Sequence, residues 1–336
     1  MSRTSDYDDH NKFLTDEAER EYPPEPEVLA AFRTLFMDPT VPVSEVARQA
    51  AAPLLRQITL EPIYIPDCGE IWRTHMRAVR RLGKFNDRLV ELIVELSKLP
   101  DKNGVFHQLP DFGSYWLEFG FDFADPLPTD PDKTTIRQEW VNECAWGAKL
   151  AAVLPVPSLA DFLAEEGGMI IRQTLENADW EIYHHPDIEK YDDGADDEWY
   201  EEFRDLEILK MDVRTLNGKI PGAYQWIKYL GKELYQRNGR PMRREWDHSI
   251  WKGLHGWSKL RWAFWIQRLR WVTTVTALDR RTKLVAVQMA REMVAIAEQF
   301  GDRLDVDGPE NRNGYQSGSG RLNGNDQSGG NCAVPK

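Results

Sequence analysis

The sequence predicts an all-α protein, an irregular array of antiparallel helix pairs with about nine or ten helices. Three observations predict it. Apolar residues recur at helical spacing through most of residues 26–300. No stretch sustains the alternation of a half-buried strand, and no Asn-Gly turn joins β-branched runs. Turns marked by Pro and Gly separate the helical stretches at intervals that suit helical hairpins.

The elements follow in order. Residues 1–25 are charged, poor in apolar side chains and end in Tyr22-Pro23-Pro24-Glu25-Pro26, which reads as a disordered acidic segment. Val28, Leu29, Phe32, Leu35 and Phe36 form the first apolar face. Ser44 is the expected N-cap of a helix over Glu45–Ile58. Further helices are expected over Gly69–Leu82 and Lys84–Leu99, before the turn cluster Pro100–Gly104. The aromatic stretch 105–132 reads as a short helix or a docked loop. Helices resume at Thr134–Leu154 and at Ser158–Trp180, with Ser158 as N-cap. Asp187–Asp197 reads as an exposed acidic loop. Glu198–Leu216 and Ala223–Arg237 follow, with Gly218 and Pro221-Gly222 breaking the chain between them. Arg240–Gly256 is an aromatic linker. Ser258–Thr274 and Asp279–Phe300 close a hairpin. Residues 26–300 therefore read as one helical domain, and 301–336, rich in Gly, Asn and Ser, as a flexible tail.

Composition narrows the class. A chain of 336 residues buries enough surface to fold without disulfide staples. Its 3 cysteines, Cys68, Cys144 and Cys332, form no paired framework, which suits a reducing compartment, cytoplasmic or nuclear. The N-terminus lacks the features of a signal peptide, and no apolar run is long enough to span a membrane. The net charge of −13 weighs against a dedicated nucleic-acid binder. That charge is unevenly spread. Residues 219–291 hold 16 Lys+Arg and 4 Asp+Glu, a local net of +12, leaving −25 for the remainder. Residues 181–207 hold 12 Asp+Glu against Lys190 and Arg204. The two blocks either face each other or mark separate partner surfaces, and the lower self-repulsion of opposite charge favours the first.

Motifs of chemistry are sparse. Asp192-Asp193-Gly194-Ala195-Asp196 spells DDxxD, a pattern that can chelate magnesium, but it lies in an acidic run without an apolar helix face. A solvated loop is the better reading. His184-His185 lacks a metal-ligand spacing. GxGxxG, GxxxxGK[ST] and GxSxG are absent, so neither a cofactor nor a metal is expected. Cys144 sits on an apolar helix face and reads as an inert thiol. Seven of the 13 Trp lie between Trp226 and Trp271, interleaved with Arg and Lys. Such a pattern can stack bases. Yet Trp262, Trp265, Leu269 and Val272 share one helical face and read as core, with Arg261, Arg268 and Arg270 on other faces.

The C-terminal signature resembles the fungal domain-of-unknown-function 3632 family. The residues that carry the likeness are Ala223-Tyr224-Gln225-Trp226-Ile227, Gly231, Leu234-Tyr235, Trp251-Lys252-Gly253, Arg261–Trp265 with Arg268, and the closing helix with Met293. A softer likeness reaches Ser44–Leu54. The resemblance implies a helical intracellular protein of filamentous fungi, with no activity or catalytic residues to carry over.

Three functions are compatible with these features. The leading one is a non-enzymatic interaction or scaffold protein with a protein partner. The second is an accessory enzyme or small-molecule binder of fungal secondary metabolism, with an apolar pocket lined from the aromatic segment Phe112–Phe123 and the Trp251–Trp257 linker. The third is a nucleic-acid-associated role through Lys228, Lys232, Arg243 and Arg244. The candidate interaction or pocket residues are Arg243, Arg244, His248, Trp251, His255 and Trp257.

Overall fold

The structure, a computed structural model, describes residues 3–60, 67–99, 106–120, 123, 125–126, 130–178, 212–242 and 249–304. The described residues form eleven α-helices and no strand, with one isolated bridge between Asn177 and Ser249. The all-α reading is correct.

The first six helices are α1 (Arg3–Ala18), α2 (Pro26–Met37), α3 (Val43–Leu60), α4 (Gly69–Arg81), α5 (Asn86–Leu96) and α6 (Phe112–Gly120). The other five are α7 (Lys133–Val153), α8 (Pro157–Leu175), α9 (Leu216–Gln236), α10 (Lys259–Thr274) and α11 (Arg280–Gln299). Short connections make hairpins of α2 with α3, α7 with α8 and α10 with α11. Helix α7 is the junction. It meets α4 and α5 on one side and α8 and α9 on the other.

Helix α9 is the hub of the second half, touching α7, α8 and α11. Its Trp226 is fully buried in a slot made by two glycines. A Cβ on Gly147 of α7 would stand 3.0 Å from the indole, and one on Gly167 of α8 would stand 2.3 Å away. Trp262 and Trp265 of α10 are buried as core residues, as their spacing predicts.

Several local features differ from the sequence reading. Composition suggests disorder over residues 1–25, yet Arg3–Ala18 is helix α1. Phe13 and Leu14 are buried, and the acids of α1 meet cations of α4. Arg77 grips Glu17 at 2.7 and 2.8 Å, and Arg81 pairs with Asp16 at 2.7 Å. Charge there is neutralised by the fold rather than by water. Gly218 and Pro221-Gly222 do not break the chain, because α9 runs through them from Leu216. Pro221 lies in the second turn and forfeits only one helical hydrogen bond. Helix α3 begins at Val43, one residue ahead of the expected cap Ser44. Helix α8 is capped by Val156 with Pro157 in its first turn, not by Ser158. The aromatic stretch contains α6. The acidic loop 187–197, most of the expected helix 198–216 and most of the tail fall outside the described residues.

Candidate interaction site

Helix α8 ends at Leu175, and the next residue, Glu176, is completely buried. A carboxylate at a helix C-terminus meets the negative end of the helix dipole. Burial removes the water that would otherwise solvate it. Four side chains on three segments compensate. Arg261 of α10 donates through Nε to Oε1 at 2.6 Å and through Nη2 to Oε2 at 2.8 Å. The Trp265 indole donates to Oε1 at 2.7 Å, and the Ser249 hydroxyl to Oε2 at 2.8 Å. Arg172, one turn back in α8, sits 3.6 Å away. Removing one partner from such a buried pair costs about 3–5 kcal/mol, because the other charge is stranded.

This node fastens residues 249–258, a strap between α9 and α10. The Ile250 amide donates to the Glu176 carbonyl at 3.0 Å. Arg261 Nη1 donates to the Gly256 carbonyl at 3.0 Å. At the base, Gly239 N donates to Trp257 O at 2.8 Å and Trp257 N to Arg240 O at 2.9 Å. Trp257 itself is buried over Gly168, where a Cβ would lie 2.4 Å from the ring. Its indole donates to Glu165 at 3.2 Å, which also receives Arg237 at 2.6 Å.

The Trp251-Lys252-Gly253 motif has a local explanation. The Trp251 ring lies 5.7 Å from the Arg261 guanidinium and 5.3 Å from the Phe264 ring. Its Nε1 closes the turn on the Leu254 carbonyl at 3.0 Å. Gly253 packs so closely on that ring that a Cβ would stand 2.1 Å from it. Gly256 has φ +84, a conformation other residues adopt only with strain. The result is a pinned loop with a solvent-facing tip. Leu254 is 76% exposed, and Leu260 in the first turn of α10 is 69% exposed. Phe264, against which Trp251 packs, lies one helical turn beyond Leu260.

Of the six candidate residues, Arg243, Arg244 and His248 lie outside the described residues. Trp251, His255 and Trp257 share the strap, and of the three Trp257 borders the cavity beneath it. Trp257 is core, Trp251 is half-buried and His255 is exposed. The cavity under Trp257, bounded by Glu165, Met169, Arg172 and Met242, is about 10 Å³. That volume holds about one water molecule.

DDxxD and His184-His185 lie outside the described residues, among which no three His, Cys, Asp or Glu side chains gather as metal ligands. Burial raises the Cys68 thiol to about 12 and the Cys144 thiol well above its usual range. Both are poor nucleophiles at neutral pH.

The basic segment answers acids of α8. Arg237 meets Asp161 at 2.7 Å as well as Glu165, and Arg261 is buried, not on a polar face as its helical position suggests. Sequence reasoning missed Glu176, which sits in Leu175-Glu176-Asn177 without any motif around it. Its partners lie 73, 85 and 89 residues along the chain.

A family model described as "Protein of unknown function (DUF3632)" matches residues 72–269. The chain belongs to this family. The DUF3632 match runs from Trp72 in α4 to Leu269 in α10 and so contains Glu176, the strap and Arg261. The likenesses at Ser44–Leu54 and Met293 fall outside it. No curated protein and no solved structure matches the chain. Its DUF3632 membership assigns no reaction.

Proposed function

We propose that this DUF3632 protein is a non-enzymatic interaction protein that binds a protein partner through the strap tip and the outer face of α10. One observation carries the reading: a fully buried ion network holds still a loop whose apolar tip faces solvent. A free surface loop does not need such anchorage. Binding surfaces benefit from it, because a loop fixed beforehand loses little entropy on docking. Leu254 and Leu260 supply the apolar anchor. Lys252, two residues before Leu254 and exposed, brings positive charge to the tip. The matching partner surface is an apolar pocket with an acidic rim.

Two other readings have less support. The space under Trp257 is too small for a metabolite. Of the residues on which the nucleic-acid reading rests, Lys228 lies over the Tyr229 ring at 4.8 Å, Lys232 is exposed on α9, and Arg243 and Arg244 fall outside the described residues, while the neighbouring Arg237 is engaged with Asp161 and Glu165.

The test isolates wild type and the double variant Leu254→Asp, Leu260→Asp in parallel from the native host, followed by native mass spectrometry. Both positions are exposed, so the variant retains its helical spectrum and melting temperature. A polypeptide held stoichiometrically by wild type and lost by the variant is the expected result. A small molecule bound equally by both, with no polypeptide, overturns the reading in favour of a ligand-binding protein.

A further inference from the structure

A second apolar surface lies along the α10–α11 hairpin and stands independently of the strap. On α11, Met289, Met293 and Ile296 are buried in the core, as expected for one face of an amphipathic helix. Val287, Ala290, Arg291, Val294 and Glu298 form a different face at spacings of three and four. With Leu269 of α10 they line a groove of about 420 Å³. A helix apolar on two faces is built for neighbours on both. The core supplies one of them. The groove has the shape left between two packed helices, and small Ala290 and Ala295 let a third helix approach its floor.

Charge identifies the kind of helix. The charged side chains that line the groove are Arg270 and Arg291 against Glu298. Arg291 stands exposed on the groove rim. We infer that this groove binds an amphipathic α-helix with an acidic outer face, contributed by a protein partner. Its leucine-type anchors at i, i+3 or i+4 and i+7 enter the groove, and its carboxylates face Arg291.

The probe is a synthetic fluorescein-labelled helix with Leu at those positions and Glu elsewhere, titrated by anisotropy into the full chain. A second probe replaces every Glu by Lys. The expected result is saturable binding of the Glu helix only, weakened about tenfold or more by Ala295→Trp, which fills the groove, and several-fold by Arg291→Glu. Both positions are exposed, so neither change threatens folding. The Leu254→Asp, Leu260→Asp variant binds the probe normally, which separates this inference from the strap reading. Equal binding of both helices, or binding indifferent to Ala295→Trp, overturns the inference. So does no saturable binding, whether the groove is then occupied by the chain's own residues 181–207, by a second copy or by nothing.

Discussion

Two buried residues show how differently the core receives a polar side chain. Glu176 is held by two arginines, an indole and a hydroxyl. His75 of α4 is equally buried, but neither ring nitrogen has a hydrogen-bond partner among the described residues. Its neighbours are aromatic, with Trp146 at 5.2 Å and Phe32 at 6.3 Å. Burial alone lowers its pKa from 6.5 to about 3, so it is neutral in the fold. Protonation therefore favours the unfolded chain. The stability His75 preserves is complete above pH 6.5 and is lost progressively as pH falls toward 3. In that window its contribution to the slope approaches ~1.4 kcal/mol per pH unit. Urea unfolding of wild type and His75→Leu across pH 7 to 4 checks this. The variant should show a flatter acid slope, and parallel slopes would refute the assignment. Nothing in the local sequence Arg73–Arg77 separates this histidine from an exposed one.

At the scale of elements, the sequence was most legible where periodicity rules. Helices α4, α7, α10 and α11 lie within one residue of their expected bounds at each end, and α2 carries the apolar face Val28–Phe36. The helix expected from Ser258 begins at Lys259, with Ser258 as its N-cap, the hydroxyl accepting from Arg261 N at 3.1 Å. Legibility failed where a residue type has two uses. Glycine and proline signal turns, yet Gly218, Pro221 and Gly222 lie within α9, where the missing Cβ lets Gly222 meet Trp140. Gly167 is a second case, mid-helix in α8 under Trp226. Gly167→Ala should destabilise by about 1–3 kcal/mol through overpacking. Gly113 of α6 has only ordinary contacts at 3.7 Å, so Gly113→Ala should instead be neutral or stabilise by about 0.5–1 kcal/mol. Urea midpoints of the two variants distinguish them, and equal effects would show that the Trp226 slot is loose.

Across the whole molecule, the charge asymmetry in the sequence is partly resolved by ion pairs between distant helices. Acids of α1 meet arginines of α4, Glu165 of α8 meets Arg237, and Glu176, just past the end of α8, meets Arg261. The site was half legible. The aromatic linker stands out in composition, but the carboxylate that fastens it does not, because long-range pairing leaves no local pattern. No helix among the described residues is long and apolar enough to cross a membrane.

The central claim is that Glu176 and its partners hold the strap rigid while its tip faces solvent. Amide hydrogen exchange of the intact chain tests it most directly. The account predicts that Gly239, Ile250 and Trp257 exchange nearly as slowly as the core of α9, while Lys252–His255 exchange fast. Exchange of Ile250 and Trp257 at the rate of an unprotected loop would contradict it.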